Sequence, residues 1–255
     1  AATADFNGDA WPDVAVANRD SSNVSILLND GHGLPGNAVN YVAGGRASMI
    51  LAGRFNEDDH LDVVTSLEAF YTNEINLSVL LNDGHAAFPA ANTMTTGMPL
   101  TVLTAADFDG DGDLDLAVAG ILTSLLQTRL LGHVNIFRND GHGTFISAGE
   151  FFTGDTPTAI AGGDFDGDGD VDLVVTCEGD PFIPNDPGRV SVLLNRGDGS
   201  FAQELILKAG TEPGGVAVAD LDGDGDLDLA VFNLNEQTIS LFLNDGHGRF
   251  GNDSP

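Results

Sequence analysis

A chain of 255 residues with 42% hydrophobic content has enough apolar material for one large or two small cores, which excludes an acidic disordered tail. Its 39 Asp and Glu residues face only 9 Lys and Arg, and a formal charge of −30 argues against nucleic acid and anionic membrane surfaces as partners. One cysteine, Cys177, rules out a disulfide framework within the chain, and the longest apolar runs are too short to span a bilayer.

The chain opens at Ala1 without Met and without a signal-peptide pattern, which suits a processed secreted protein among other origins. The first recognisable stretch is DFNGDAWPD from Asp5, followed by LLNDGHG with Asn29. The same pair then recurs along the chain. RFNEDDHLD from Arg54 precedes Asn82, DFDGDGDLD from Asp107 precedes Asn139, DFDGDGDVD from Asp164 precedes Asn195, and DLDGDGDLD from Asp220 precedes Asn244. Each Asn lies 25 residues before the next acidic loop, whereas the distance from a loop to its own Asn runs 24, 28, 32, 31 and 24. Length variation is thus confined to one connection, as in a rigid unit with a single tolerant loop.

Within the fourth unit, TAIAGGDF, DLVVT, RVSVLLN and SFAQELIL read as four short strands, with a tight hairpin at NRGDG. Strand one is rich in Ala and Gly, as crowding near an axis requires. The expectation is an all-β chain, 1–255 forming a single β-propeller domain of five four-stranded blades, with repeats starting near 5, 54, 107, 164 and 220.

Five carboxylates in the nine residues of DFDGDGDVD repel one another unless a cation offsets them. Numbering each loop one to nine, side-chain oxygens fall at one, three, five and nine, a glycine at six, and a backbone carbonyl at seven. That is the ligand order of a shortened EF-hand-type calcium loop, without its helices. Three loops carry the full set: Asp107, Asp109, Asp111 and Asp115; Asp164, Asp166, Asp168 and Asp172; Asp220, Asp222, Asp224 and Asp228. The first keeps Asp5, Asn7, Asp9 and Asp13, with Ala10 in place of the glycine. The carbonyls at position seven belong to Trp11, Asp113, Asp170 and Asp226. The second loop has Arg54 at one, Asp59 at six and His60 at seven, and reads as degenerate, the Arg54 guanidinium standing in for the cation. The expected complement is about four structural calcium ions. Magnesium, which prefers few protein ligands and several waters, fits less well.

The DFDGDGDLDL blocks, the LLNDGHGxF turns and the connectors TGDTP and AGTEP resemble the FG-GAP/VCBS repeats of integrin α-subunit propellers and of many bacterial surface and secreted proteins. The resemblance covers essentially the whole chain. It implies calcium between the first and second strands of each blade and partner binding on the opposite face. Integrin-type rings have seven blades against the five repeats here, and only 11 residues follow Asn244 while four precede Asp5, short of the 25-residue connection. The five blades are therefore read as an open ring, as part of a larger one, or as a ring completed by another chain.

Three variable loops, 66–76, 120–133 and 178–189, fall together on the face away from the acidic loops and are the expected contacts for a protein partner or self-association, with a glycan as a further candidate. Ile121, Leu122, Leu125, Leu126, Leu130 and Leu131 make the middle loop apolar, and Phe70, Tyr71, Phe182 and Ile183 flank it. Its readings are an interface patch or a hairpin folded back on its own blade. Other motifs carry less. Arg196-Gly197-Asp198 occupies the turn that elsewhere reads NDGHG, and turn chemistry explains it; the turn histidines sit on separate blades. Cys177 is expected as a buried small hydrophobe, and the sequons at Asn23 and Asn76 arise easily by chance. No nucleophile context accompanies the carboxylates. The expected function is a non-catalytic adhesion or ligand-binding module, extracellular or at the cell surface. The alternatives are a structural subunit of a filament or surface assembly, and a lectin-like or accessory domain of a polysaccharide- or lipid-active enzyme.

Overall fold

A computed structural model describes residues 1–68, 76–97, 99–123, 130–180, 182–183, 186–202 and 204–253. Among them there is no helix, and twenty strands form five four-stranded antiparallel sheets, each strand pairing with its neighbour in sequence. The chain divides into two compact units, Ala1–Pro99 with Asn139–Ile146, and Leu100–Arg138 with Ser147–Pro255.

The first unit holds two blades. One comprises β1 (Ala2–Ala4), β2 (Asp13–Asn18), β3 (Asn23–Leu27) and β4 (Val39–Val42); the other β5 (Arg46–Gly53), β6 (Asp62–Glu68), β7 (Asn76–Leu80) and β8 (Ala91–Thr95). Alternating side chains from the blades meet in a core around Phe6, Ile26, Val63, Leu67, Leu80 and Phe88. β6 is rich in β-branched residues and is buried along nearly its whole length.

The second unit carries three blades. They are β9 (Leu100–Ala106) to β12 (Phe145–Phe152), with β10 at Asp115–Thr123 and β11 at Leu130–Asn139; β13 (Pro157–Gly163) to β16 (Leu205–Leu207), with β14 at Asp172–Cys177 and β15 at Arg189–Leu193; and β17 (Pro213–Ala219) to β20 (Phe250–Asp253), with β18 at Asp228–Asn233 and β19 at Thr238–Asn244. The turn between β11 and β12 belongs to the first unit. Phe108, Leu173, Val175 and Leu193 fill the core between the third and fourth blades, and Phe165, Val192, Leu229, Val231 and Phe242 that between the fourth and fifth. The glycines of strand one have a steric reason: a Cβ on Gly163 would lie 2.9 Å from the Leu227 side chain of the next blade.

The apolar middle loop is in part a longer hairpin. Gly120–Thr123 and Leu130–His133 continue β10 and β11, with Gly120 opposite His133 and Ile121 opposite Gly132. Leu125 and Leu126 lie outside the described residues, as do Phe70 and Tyr71. Phe182 and Ile183 are exposed. Cys177 is fully buried, and burial pushes its thiol up to about 12, as expected of an inert core residue.

Candidate metal centres

Each acidic loop links strand one to strand two of its blade, and its geometry follows from two carboxylates. The Asp at position nine opens strand two and is wholly buried in every repeat: Asp13, Asp62, Asp115, Asp172 and Asp228 are all 0% exposed. In each, one oxygen accepts the backbone N–H at position two, from Phe6, Phe55, Phe108, Phe165 or Leu221 at 2.7–3.0 Å. The other oxygen accepts the N–H of the turn asparagine, shown for Asn29, Asn82, Asn195 and Asn244 at 2.7–2.8 Å. The loop is thereby pinned to the hairpin turn. Burial pushes Asp62 and Asp172 up to about 6 against the lowering effect of these N–H bonds.

The Asp at position one shapes the loop itself. Asp5, Asp107, Asp164 and Asp220 each accept the N–H of positions four and six, at 2.7–3.1 Å. Both of those positions are left-handed, at φ of 75° and 98° for Gly110 and Gly112 and 78° and 95° for Gly167 and Gly169. Such φ values suit glycine, so Ala10, at 71° in the first loop, holds the same shape under strain.

This turn draws three carboxylates together. Asp107, Asp109 and Asp115 each offer an oxygen, all within 4.8 Å of one another, as do Asp164, Asp166 and Asp172, and Asp220, Asp222 and Asp228. Burial, followed by the charge of Asp168, raises the pKa of Asp166. A cation beside the carboxylates acts in the opposite sense, favouring their ionised form. Oxygen-only donors at this density suit a hard divalent ion.

The remaining expected ligands stand differently. Position five does not join the three-carboxylate groups: Oδ1 of Asp111, Asp168 and Asp224 caps the N–H of position seven, at 2.9 Å. In the first loop Asp9 does the same for Trp11 and also accepts from the Asn7 side chain. At position seven, the side chains lie over the turn glycine. A Cβ on Gly197 would meet Asp170 Oδ2 at 2.5 Å, one on Gly246 Asp226 Oδ2 at 2.5 Å, and one on Gly31 the Trp11 ring at 2.8 Å. Asp113 sits at the same loop position, its backbone N–H donating to Asp111 Oδ1.

In the second loop neither Glu57 nor Asp59 is left-handed, and no carboxylate occupies position one. Arg54 does not replace the cation. Its side chain is exposed and forms no ion pair among the described residues, because the loop lacks the turn that would bring position one over the others.

Two features escaped the residue-by-residue reading. The turn asparagine clamps its repeat to the one before: Nδ2 of Asn82, Asn139, Asn195 and Asn244 donates to the carbonyl of Phe6, Phe55, Phe108 and Phe165, at 2.8–3.0 Å. The aromatic after each of these turns seals the joint, with Phe6–Phe88, Phe55–Phe145, Phe108–Phe201 and Phe165–Phe250 packed edge to face at 5.8–6.0 Å. The recurrence of Asn and Phe at fixed offsets was the signal. The other feature is Arg138, whose guanidinium reaches Asp109 Oδ2 at 3.2 Å; its signal was FRNDGHG where other repeats have Leu before Asn.

The RGD tripeptide is held inside its turn: Arg196 donates to the Phe201 carbonyl and Asp198 caps the Ser200 N–H. At the other end of the fourth blade, Ile183, Pro187, Ile206 and Ala209, with Arg189 and Lys208, line a cavity of about 330 Å³. Among the described residues no helix is long and apolar enough to cross a membrane.

A family model for the FG-GAP-like repeat matches residues 5–65, 66–118, 125–175 and 180–231. No curated protein matches the chain. The matched segments account for most of its length, and the chain belongs to the FG-GAP-like repeat family, a β-propeller-type module built of blade-like sheets.

Proposed function

We propose that this FG-GAP-like repeat protein is a calcium-stabilised, non-catalytic binding module that works outside the cell and engages its partner through the ends of the blades opposite the acidic loops. The observation that carries the reading is the threefold recurrence of a carboxylate triad on a glycine-shaped turn. Asp107, Asp109 and Asp115 and their counterparts in the fourth and fifth loops would hold the ion, and Asp5, Asn7 and Asp13 would hold one in the first. Calcium supplies the positive charge that permits these carboxylates to stay close and ionised. Millimolar extracellular calcium saturates even weak sites of this type.

Partner binding at the far end is supported by the cavity beside the 178–189 loop, by exposed Phe182 and Ile183, and by placement on connections rather than strands. Even with about four ions bound, the formal charge stays near −22, which favours a protein or neutral glycan partner over a polyanion. A second reading, a subunit of an extracellular assembly, is favoured by the fifth blade, where Phe232, Leu234, Ile239 and Leu241 are exposed.

Thermal unfolding and light scattering in millimolar calcium and in EDTA test the proposal. A calcium-stabilised monomer supports the binding module and calcium-dependent oligomers the assembly subunit; a melting curve indifferent to EDTA contradicts both.

A further inference from the structure

We propose that Arg138 is a resident counter-cation at the third acidic loop, which makes that loop the weakest of the three full calcium sites and the first to empty. The inference rests on the calcium reading above. Sites three and four read DFDGDGDLD and DFDGDGDVD, so their own residues supply almost the same donors. The difference lies beside them. Arg138 Nη1 stands 3.2 Å from Asp109 Oδ2, with the Asp109 side chain 11% exposed and that of Arg138 50%. At the matching position of the other repeats stand Leu28, Leu81, Leu194 and Leu243.

The environments are otherwise alike. A Cβ on Gly199 would touch Asp109 Cβ at 3.6 Å and Arg138 Cδ at 3.9 Å, and one on Gly248 would touch Asp166 Cβ at 3.5 Å and Leu194 Cδ1 at 3.0 Å. Leu194 thus lies beside Asp166 as Arg138 lies beside Asp109, and carries no charge.

Asp109 Oδ1 is buried and makes no hydrogen bond, so it remains available to an ion while Oδ2 is held by arginine. A divalent ion on Oδ1 then shares its carboxylate with a permanent positive charge a few ångströms away. The guanidinium withdraws donor charge and repels the ion; without the ion, it offsets part of the repulsion among Asp107, Asp109 and Asp115. Both effects favour the empty site. Coulomb's law for a unit and a divalent charge about 6 Å apart, screened as in water, gives a weakening of about tenfold relative to site four. As calcium falls, site three therefore empties while its loop keeps a cation.

The test is calorimetric titration of calcium into the stripped full chain, with Arg138→Leu, Arg138→Lys and Leu194→Arg compared with the wild type. The expected result is that Arg138→Leu tightens one binding step about tenfold and lowers the melting temperature in EDTA. Arg138→Lys keeps the weak step, and Leu194→Arg adds a second one. Calcium binding that is the same in all four proteins overturns the role of Arg138 alone. Absence of calcium binding in every protein overturns it together with the calcium reading.

Discussion

In the second acidic loop Asp62 is as deeply buried as Asp172 in the fourth, and accepts the same pair of backbone N–H bonds, from Phe55 and Asn82 in one case and Phe165 and Asn195 in the other. Above that shared base the loops part. The fourth has Asp164 gathering the N–H groups of two left-handed glycines and three carboxylates converging; the second has Arg54, no left-handed residue and no triad. The comparison separates two roles that the repeated DxDxDxD pattern merges. Position nine and the turn asparagine build the blade in every repeat, whereas a carboxylate triad forms only where the glycine-shaped turn brings positions one and three to that same position-nine Asp.

The largest effect should come from the shared base. Asp62→Ala and Asp172→Ala each orphan two buried N–H groups and should cost about 3 kcal/mol in EDTA, measured by urea unfolding. Only Asp172→Ala should also abolish a calcium site, so its cost grows when calcium is added. Equal growth for Asp62→Ala would erase the distinction. Next comes the ion layer alone: at calcium a hundredfold above its dissociation constant, Asp164→Ala should lose about 2.7 kcal/mol of calcium-dependent stabilisation. Conversely, Arg54→Asp combined with Glu57→Gly and Asp59→Gly should restore the turn and add one calcium ion by titration, while Arg54→Asp alone should not.

The smallest effect is on pH. Burial pushes Asp62 and Asp172 up to about 6, so in EDTA folding takes up protons between about pH 4 and 6. Stability from these groups is full below the unfolded carboxylate pKa and is lost as pH rises through 6. Asp62→Asn should flatten that slope with or without calcium. Asp172→Asn should flatten it only in EDTA, because in calcium the ion displaces the proton.

The five four-stranded sheets and the acidic loops were legible in the sequence because they rest on local chemistry: glycine at positive φ, turn asparagines and alternating strands. The triads followed from spacing, yet the place of position five did not. Asp168 reads as a side-chain ligand, and the three-dimensional turn adds that its Oδ1 accepts the Asp170 N–H. Arg54 read as a substitute cation from its position alone, and the missing left-handed residues explain why it points to solvent. Contacts distant in sequence were the least legible. Asn195 reaches Phe108 across 87 residues, and Arg138 reaches Asp109 across 29, so each looked like an ordinary turn or strand residue.

The most direct test of the separation between blade and ion layer is native mass spectrometry of the full chain in calcium, with Asp62→Asn alongside. About four bound ions are expected in both proteins. A folded wild type without bound calcium, or loss of an ion on Asp62→Asn, would contradict the account.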